Sequence, residues 1–211
     1  FIASFFSENI DIIPDDMSST INLPLCTGDS YTLIADDIPG ATYTWTKDDV
    51  VLGETDFDLV ITEAGYYKVT IDENSGTCSS LIGEAIVTYY DIPTASTPDN
   101  LFVCDTDNDA TFNFNLTTQD SFILNGQDPN IYQVLYFTNQ VNANNNTNPI
   151  IGTYQNTSVP QTIYARVQNI GNPDCFALTQ FQIGVYDTPE IVSLANFEAC
   201  DDTSDGDDAN G

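Results

Sequence analysis

Residues 90–105 read "YDIPTASTPDNLFVCD", and residues 186–201 read "YDTPEIVSLANFEACD". The two stretches align without a gap at an offset of 96, and Tyr90/Tyr186, Asp91/Asp187, Pro93/Pro189, Asn100/Asn196, Cys104/Cys200 and Asp105/Asp201 match. A looser copy opens the chain, where "FIASFFSENIDIIP" (1–14) resembles "FALTQFQIGVYDTP" (176–189). An exit signature that returns at a fixed interval is the mark of tandem modules. Four pieces follow: residues 1–14 as the last strand of a preceding repeat, 17–93 as one complete module, 97–189 as a second, and 194–211 as the truncated start of a further one.

Both complete modules read as all-β. In the first, "SYTLIA" (30–35), "TYTWTK" (42–47), "DFDLVIT" (56–62), "YYKVTID" (66–72) and "GEAIVTYYD" (83–91) are short, rich in β-branched and aromatic residues, and parted by Gly, Pro and Asp turns. In the second, "TFNFNL" (111–116) alternates apolar and polar, and "IYQVLYFT" (131–138), "QTIYARVQN" (161–169) and "FALTQFQIGVYD" (176–187) follow. A helical turn or two is expected at 117–126, with Gly126 as its stop. Many short strands at this spacing predict tandem β-sandwiches in an extended array.

Composition narrows the function. The chain has 211 residues, 32 Asp plus Glu, three Lys plus Arg, no His and a formal net charge of −29. Neutralising nucleic-acid phosphate or an anionic membrane surface needs Lys and Arg, so neither is an expected partner. No apolar run reaches the length of a membrane span, so direct insertion is not expected. Without histidine, general acid–base catalysis lacks its commonest group, and the carboxylates gather in loops beside the cysteines; no enzyme is expected. Residue 1 reads as internal to a longer product, so no leader is legible.

Five cysteines, at 26, 78, 104, 175 and 200, show no C-x-x-C pair and have no histidine to complete a zinc site. Two disulfides and one leftover are expected, in an oxidising extracytoplasmic setting. The pairing expected from the module boundaries is Cys26–Cys78 and Cys104–Cys175, with the partner of Cys200 beyond residue 211.

The stretch "VCDTDNDATF" (103–112) places Asp105, Asp107 and Asp109 at alternate positions. Like charges this close repel by about 1 kcal/mol in water and several near a protein surface. Carboxylates at positions 1, 3 and 5 with a carbonyl at 7, here Thr111, form the front half of a loop suited to Ca²⁺, which takes six to eight oxygen ligands. Asp91 and Asp99 in the preceding linker are candidate further donors. Acidity returns after Cys200 at Asp201, Asp202, Asp205, Asp207 and Asp208, with a spacing that leaves open which of them would bind. Calcium beside each linker is therefore expected to stiffen the joint; the competing reading is a solvated acidic loop.

The first module resembles bacterial immunoglobulin-like or PKD-like domains. Trp45 falls where such folds place a core tryptophan, and "EAGYYKV" (63–69) is similar to the stretch that ends in the second immunoglobulin cysteine. The resemblance implies that Tyr67 is a corner tyrosine hydrogen-bonded back to the chain, with Val69 at the cysteine position. The second module resembles the repeats of SprB-type gliding-motility adhesins of Flavobacteria, through "LFVCDTDNDATFNFNL", "ILNGQDPNIYQVLYF", "PQTIYARVQN" and "DCFALTQFQIGVYDTP". Those repeats carry Asp-Gly where this sequence has Asp109-Ala110. The resemblance implies export by the type IX secretion machinery and display outside the outer membrane of a Gram-negative bacterium. Neighbouring repeats of the same chain, and surface polysaccharide, would be the partners. The alternative is a carbohydrate-binding sandwich of a secreted polysaccharide-processing protein, since eleven tyrosines and one tryptophan offer stacking faces.

Overall fold

The computed structural model describes residues 20–74 and 80–189, and the backbone of residues 9–11. The first module is built from β1 (Asn9–Asp11), β2 (Ile21–Cys26), β3 (Tyr31–Ile34), β4 (Thr42–Lys47), β5 (Val50–Val51), β6 (Asp58–Ile61), β7 (Gly65–Asp72) and β8 (Ser80–Tyr90). They form two sheets, β2-β8-β7-β4-β5 and β1-β3-β6. Residues 9–11, read from the sequence as the end of a preceding repeat, pair in parallel with β3. β2 lies at a sheet edge, where Pro24 costs no ladder bond.

Alternation drives the packing of these strands. Along β7 the inward residues Tyr67, Val69 and Ile71 are buried while their neighbours are not, as a half-buried strand requires. Trp45 is fully buried and faces Val69 across the β4–β7 ladder, so the valine stands where the related disulfide would be. The Trp45 indole N–H donates to the Asp56 carbonyl at 2.9 Å, which removes the cost of burying that donor. The Tyr67 hydroxyl donates to the Glu63 carbonyl at 2.9 Å: the expected corner tyrosine.

The second module contains β9 (Leu101–Asp105), β10 (Asn113–Phe114), a 3₁₀ turn (Leu116–Gln119), α1 (Asp120–Leu124), β11 (Tyr132–Phe137), α2 (Gln140–Asn145), β12 (Tyr154–Gln155), β13 (Gln161–Asn169) and β14 (Phe176–Asp187). Its main sheet is β11-β13-β14-β9, faced by the β10-β12 pair. Tyr136, Ile163, Ala165, Val167, Phe181, Ile183 and Val185 of this sheet pack with Phe114, Leu116 and Ile123 in one core. The helical stretch expected at 117–126 is present, and it ends through Asn125 and Gly126, both with positive φ.

The two modules repeat one plan. β2 runs parallel to β8 with Cys26 level with Tyr90, and β9 runs parallel to β14 with Cys104 level with Tyr186. The fold is all-β, two tandem immunoglobulin-like sandwiches, as the sequence predicts.

Candidate functional site: the joint between the modules

The cysteine pairing differs from the sequence expectation. Cys26 at the end of β2 is bonded to Cys175 in the turn between β13 and β14, with Cα atoms 5.4 Å apart. The bridge crosses from one module to the next and spans 149 positions. Cys104 is a free, exposed thiol, and Cys78 and Cys200 lie outside the described residues. Strand geometry explains why Cys104–Cys175 fails. Cys104 is level with Tyr186, eleven positions along β14 from Cys175. At roughly 3.3 Å per residue the two thiols sit at opposite ends of the sandwich, roughly 35 Å apart, and a disulfide needs Cα atoms within about 7 Å. Cys26–Cys78 fails because Cys26 already has its partner.

Local chemistry presents Cys175 to the joint. Asn169 and Asn172 shape the turn: the Asn169 carboxamide oxygen accepts from Gly171 N–H at 2.9 Å, and that of Asn172 from Asp174 N–H at 3.2 Å. Their amide groups are then free to reach the first module. Asn172 Nδ2 donates to the Pro24 carbonyl at 2.9 Å, and Asn169 Nδ2 to the Asp91 carbonyl at 3.1 Å. Gly171 lies against the Tyr90 ring so closely that a Cβ there would come within 2.3 Å of it. Only glycine lets the rigid aromatic lie on the turn.

Arg166 braces the turn from behind. Its guanidinium donates to the carbonyls of Ala143 and Asn144 in the last turn of α2, each at 2.9 Å, and to that of Pro173 at 2.6 Å. Nε donates to Gln168 Oε1, and the group lies 3.5 Å from the Phe176 ring centroid. Helix C-terminal carbonyls carry partial negative charge and lack intrahelical partners, so they suit a buried cation. Burial holds this guanidinium below its ordinary pKa. The sole arginine of a strongly acidic chain thus couples α2 to the loop that carries Cys175.

The linker from residue 91 to 100 is docked on the second module. Ser96 N–H donates to the Ile123 carbonyl at 3.0 Å, and Gln127 clasps Thr94 through both its N–H and its carbonyl. Pro93 and Pro98 are buried. A linker held at both backbone and side chain is a poor hinge.

At the far end of the module the three aspartates form a turn. Asp105, buried, accepts backbone N–H groups from Asp107, Asn108 and Ala110, the last at 2.6 Å. Asp109 accepts from the Thr111 N–H and hydroxyl. Ala110 takes a left-handed conformation, φ +62°, one that glycine adopts without strain. Burial alone would raise the Asp105 carboxyl, but bonds from Asp107 and the backbone outweigh it and hold it below the ordinary carboxylate range. Asp107 is pushed up, first by sharing a hydrogen bond with Asp105 and then by the charge of Asp109. The turn also clamps the outgoing chain: Asn108 Oδ1 accepts from Thr188 N–H at 2.9 Å, and Asn108 Nδ2 donates to the Thr188 carbonyl at 3.3 Å.

As a ligand set the turn is partial. One carboxylate oxygen each from Asp105, Asp107 and Asp109 lie within 4.8 Å of one another. Asp91 and Asp99 do not join that group; the Thr111 N–H and hydroxyl donate to Asp109, bonds that do not use its carbonyl, the expected donor; and Asp201, Asp202, Asp205 and Asp207 lie outside the described residues. Sequence reading missed the residues that build the joint: Asn169, Gly171, Asn172 and Arg166. The run "NIGNPDC" (169–175) held a signal, since Asn, Gly and Pro before a cysteine mark a shaped turn rather than a strand.

Residues 100–189 match the family model of the Flavobacterium inter-domain disulphide bond domain. No curated protein matches. Solved structures with similar folds include Sidekick-1 immunoglobulin domains 1–4 (12% identity, TM-score 0.32, covering 82% of this chain and 47% of that one). Others are the three N-terminal domains of the Hoc outer capsid protein of bacteriophage RB49 (20%, 0.30, 76% and 55%) and the insect immune protein hemolin (11%, 0.34, 83% and 46%). The chain spans about half the length of these solved chains.

Proposed function

We propose that this chain is a non-catalytic stalk segment of a large secreted surface adhesin, built so that tension along it cannot extend the chain between its bridged cysteines. The observation that carries this reading is the Cys26–Cys175 bridge. Tension reaching Cys26 continues through sulfur to Cys175 and bypasses everything between them. The tandem sandwiches and the matched inter-domain disulphide family fit a repeat or stalk region. The docked linker and the turn contacts supply stiffness in the same joint. Small-angle scattering tests this: the oxidised chain should give one compact maximum dimension, and the C26S/C175S variant a broader distribution. Indistinguishable curves would remove the stapled-rod reading.

The finer reading is a gliding-motility adhesin of the SprB type, exported by the type IX route and displayed outside the outer membrane, where neighbouring repeats and surface polysaccharide are its partners. It rests on the sequence resemblance and is compatible with the flavobacterial family match. The carbohydrate-binding alternative loses its best stacking residue, because Trp45 is fully buried and already hydrogen-bonded.

Calcium at the aspartate turn belongs to the same proposal. Three carboxylates converge there; Asp107 is raised first by its hydrogen bond with Asp105 and then by the charge of Asp109, and a cation would relieve that repulsion. Asp105, Asp107 and Asp109 would hold the ion, which would supply charge neutralisation and stiffness at the exit from the module. Calorimetry at millimolar calcium should register uptake in the intact chain but not in D107N/D109N. Equal heats from both would remove calcium while leaving the staple intact.

A further inference from the structure

In the first module, β6 ends its sheet, with β3 as its neighbour on one side. The Ala35 N–H donates to the Phe57 carbonyl at 2.8 Å, and this pair continues the register that sets Leu33 against Leu59 and Tyr31 against Ile61. Hydrogen-bonded pairs alternate with non-bonded ones in an antiparallel ladder. Leu59 and Ile61 therefore bond β3, while the backbone groups of Asp58 and Val60 point out of the sheet. Among the described residues no backbone group takes them up. β5 ends the opposing sheet in the same way: the Leu52 N–H donates to the Trp45 carbonyl at 2.8 Å, so the backbone groups of Val51 face outward. Natural edges are ordinarily blunted by lysine, proline or a bulge. β6, Asp-Leu-Val-Ile, carries neither lysine nor proline, and Val60 is 63% exposed.

Beside this edge lies a cavity of about 280 Å³, with Leu52, Ile61 and Tyr67 in its walls and the exposed carboxylates of Glu54 and Glu63 among its lining. The surroundings are anionic. From residue 47 to residue 63 the chain carries six acids and one base, Lys47, which is paired with Glu63.

We propose that β6 is the docking edge for an extended segment of a partner protein in which basic and apolar side chains alternate. Backbone pairing with Asp58 and Val60 would supply the adhesion, and the two faces of the added strand the selectivity. Successive side chains of a strand point to opposite faces. One set lies beside Val60, which suits apolar residues. The other lies over the cavity, where the stem of a lysine or arginine covers Leu52 and Ile61 and its charge meets Glu54. A second copy of this chain fits poorly, because it brings the same acids and the same net charge of −29.

Fluorescence anisotropy tests this with a short labelled peptide of alternating lysine and valine, titrated into the intact chain. Binding should saturate, weaken as salt rises, and exceed that of the glutamate–valine counterpart by about tenfold or more. V60P removes an outward N–H that β3 does not use, a position where an edge strand tolerates proline. It should weaken binding roughly five- to tenfold, whereas V60T, which keeps the N–H, should bind like the parent. The urea midpoint of Trp45 fluorescence reports whether V60P keeps the fold. If that midpoint falls, amide exchange in the parent chain decides, since the peptide should slow exchange at Asp58 and Val60. Three results would overturn the assignment: no binding of the lysine–valine peptide, undiminished binding by a folded V60P, or unchanged exchange at Asp58 and Val60.

Discussion

Replacing both bridge cysteines by serine, C26S/C175S, should cost each module about 4 kcal/mol. The figure follows from where Cys26 sits. It is level with Tyr90 and hence beside the start of the linker, so with the first module folded, the loop closed by the bridge runs from residue 91 to residue 175, about 84 residues. Chain entropy for a loop of that length gives about 4.6 kcal/mol at 25 °C. With the second module folded instead, the loop runs from residue 26 to 91, about 65 residues, and gives about 4.3 kcal/mol. Both are upper figures, since unfolded chains are partly compact. Urea denaturation reads the two modules separately. Trp45 is the chain's one tryptophan and is buried in the first module, so its fluorescence follows that module alone, whereas far-ultraviolet circular dichroism follows both. With slopes of about 1–3 kcal/mol per molar, each midpoint should fall by roughly 2 M. Midpoints that shift by the equivalent of less than about 1 kcal/mol would refute the loop-closure reasoning.

Three further perturbations have defined signs. R166M leaves the carbonyls of Ala143, Asn144 and Pro173 without their buried donor, and should destabilise the second module by roughly 3–5 kcal/mol while leaving the Trp45 transition in place; a second-module midpoint like that of the parent chain would contradict the bracing role. A110G relieves a left-handed alanine and should stabilise the second module by about 1 kcal/mol, seen as a rise of several degrees in its thermal midpoint; a fall would mean that the turn does not hold that conformation. Asp120 accepts from the Tyr136 hydroxyl at 2.6 Å, and burial raises its carboxyl above the ordinary value of 3.8. A raised folded value means that its contribution is complete below pH 3.8 and declines as pH climbs through the folded value. The parent chain should therefore lose stability relative to D120N on going from pH 3 to pH 7, and the opposite trend would reverse the assignment.

Much of the fold was legible because alternation and turn chemistry are local. The strand runs follow from spacing within a few dozen residues, and the corner at Tyr67 and the core place of Trp45 from the resemblance to immunoglobulin-like domains. The helix over 140–145 was not legible, since "TNQVNANNNTNP" has poor helix propensity. It forms because Asn139 caps its start by accepting from Asn142 N–H, and Arg166, distant in sequence, caps its end. The bridge was misread for a related reason. Pairing cysteines inside one module treats the module as the closed unit, but a strand-end cysteine beside an outgoing linker faces the next module. The register of Cys26 with Tyr90 carries that information, and register is a property of the sheet rather than of either strand alone. The aspartate triplet was seen, but its turn-forming role depends on backbone donors, which sequence does not display.

Pulling a single chain by its two ends tests the force bypass most directly. Cys26 and Cys175 have Cα atoms 5.4 Å apart and are 149 positions apart in sequence. At roughly 3.5 Å per extended residue, the bridge conceals roughly 500 Å of contour. The oxidised chain should never release that length at forces that unfold the sandwiches, and C26S/C175S should release all of it. Equal contour gains from the two chains would mean that tension runs through the modules and that the staple bears none of it.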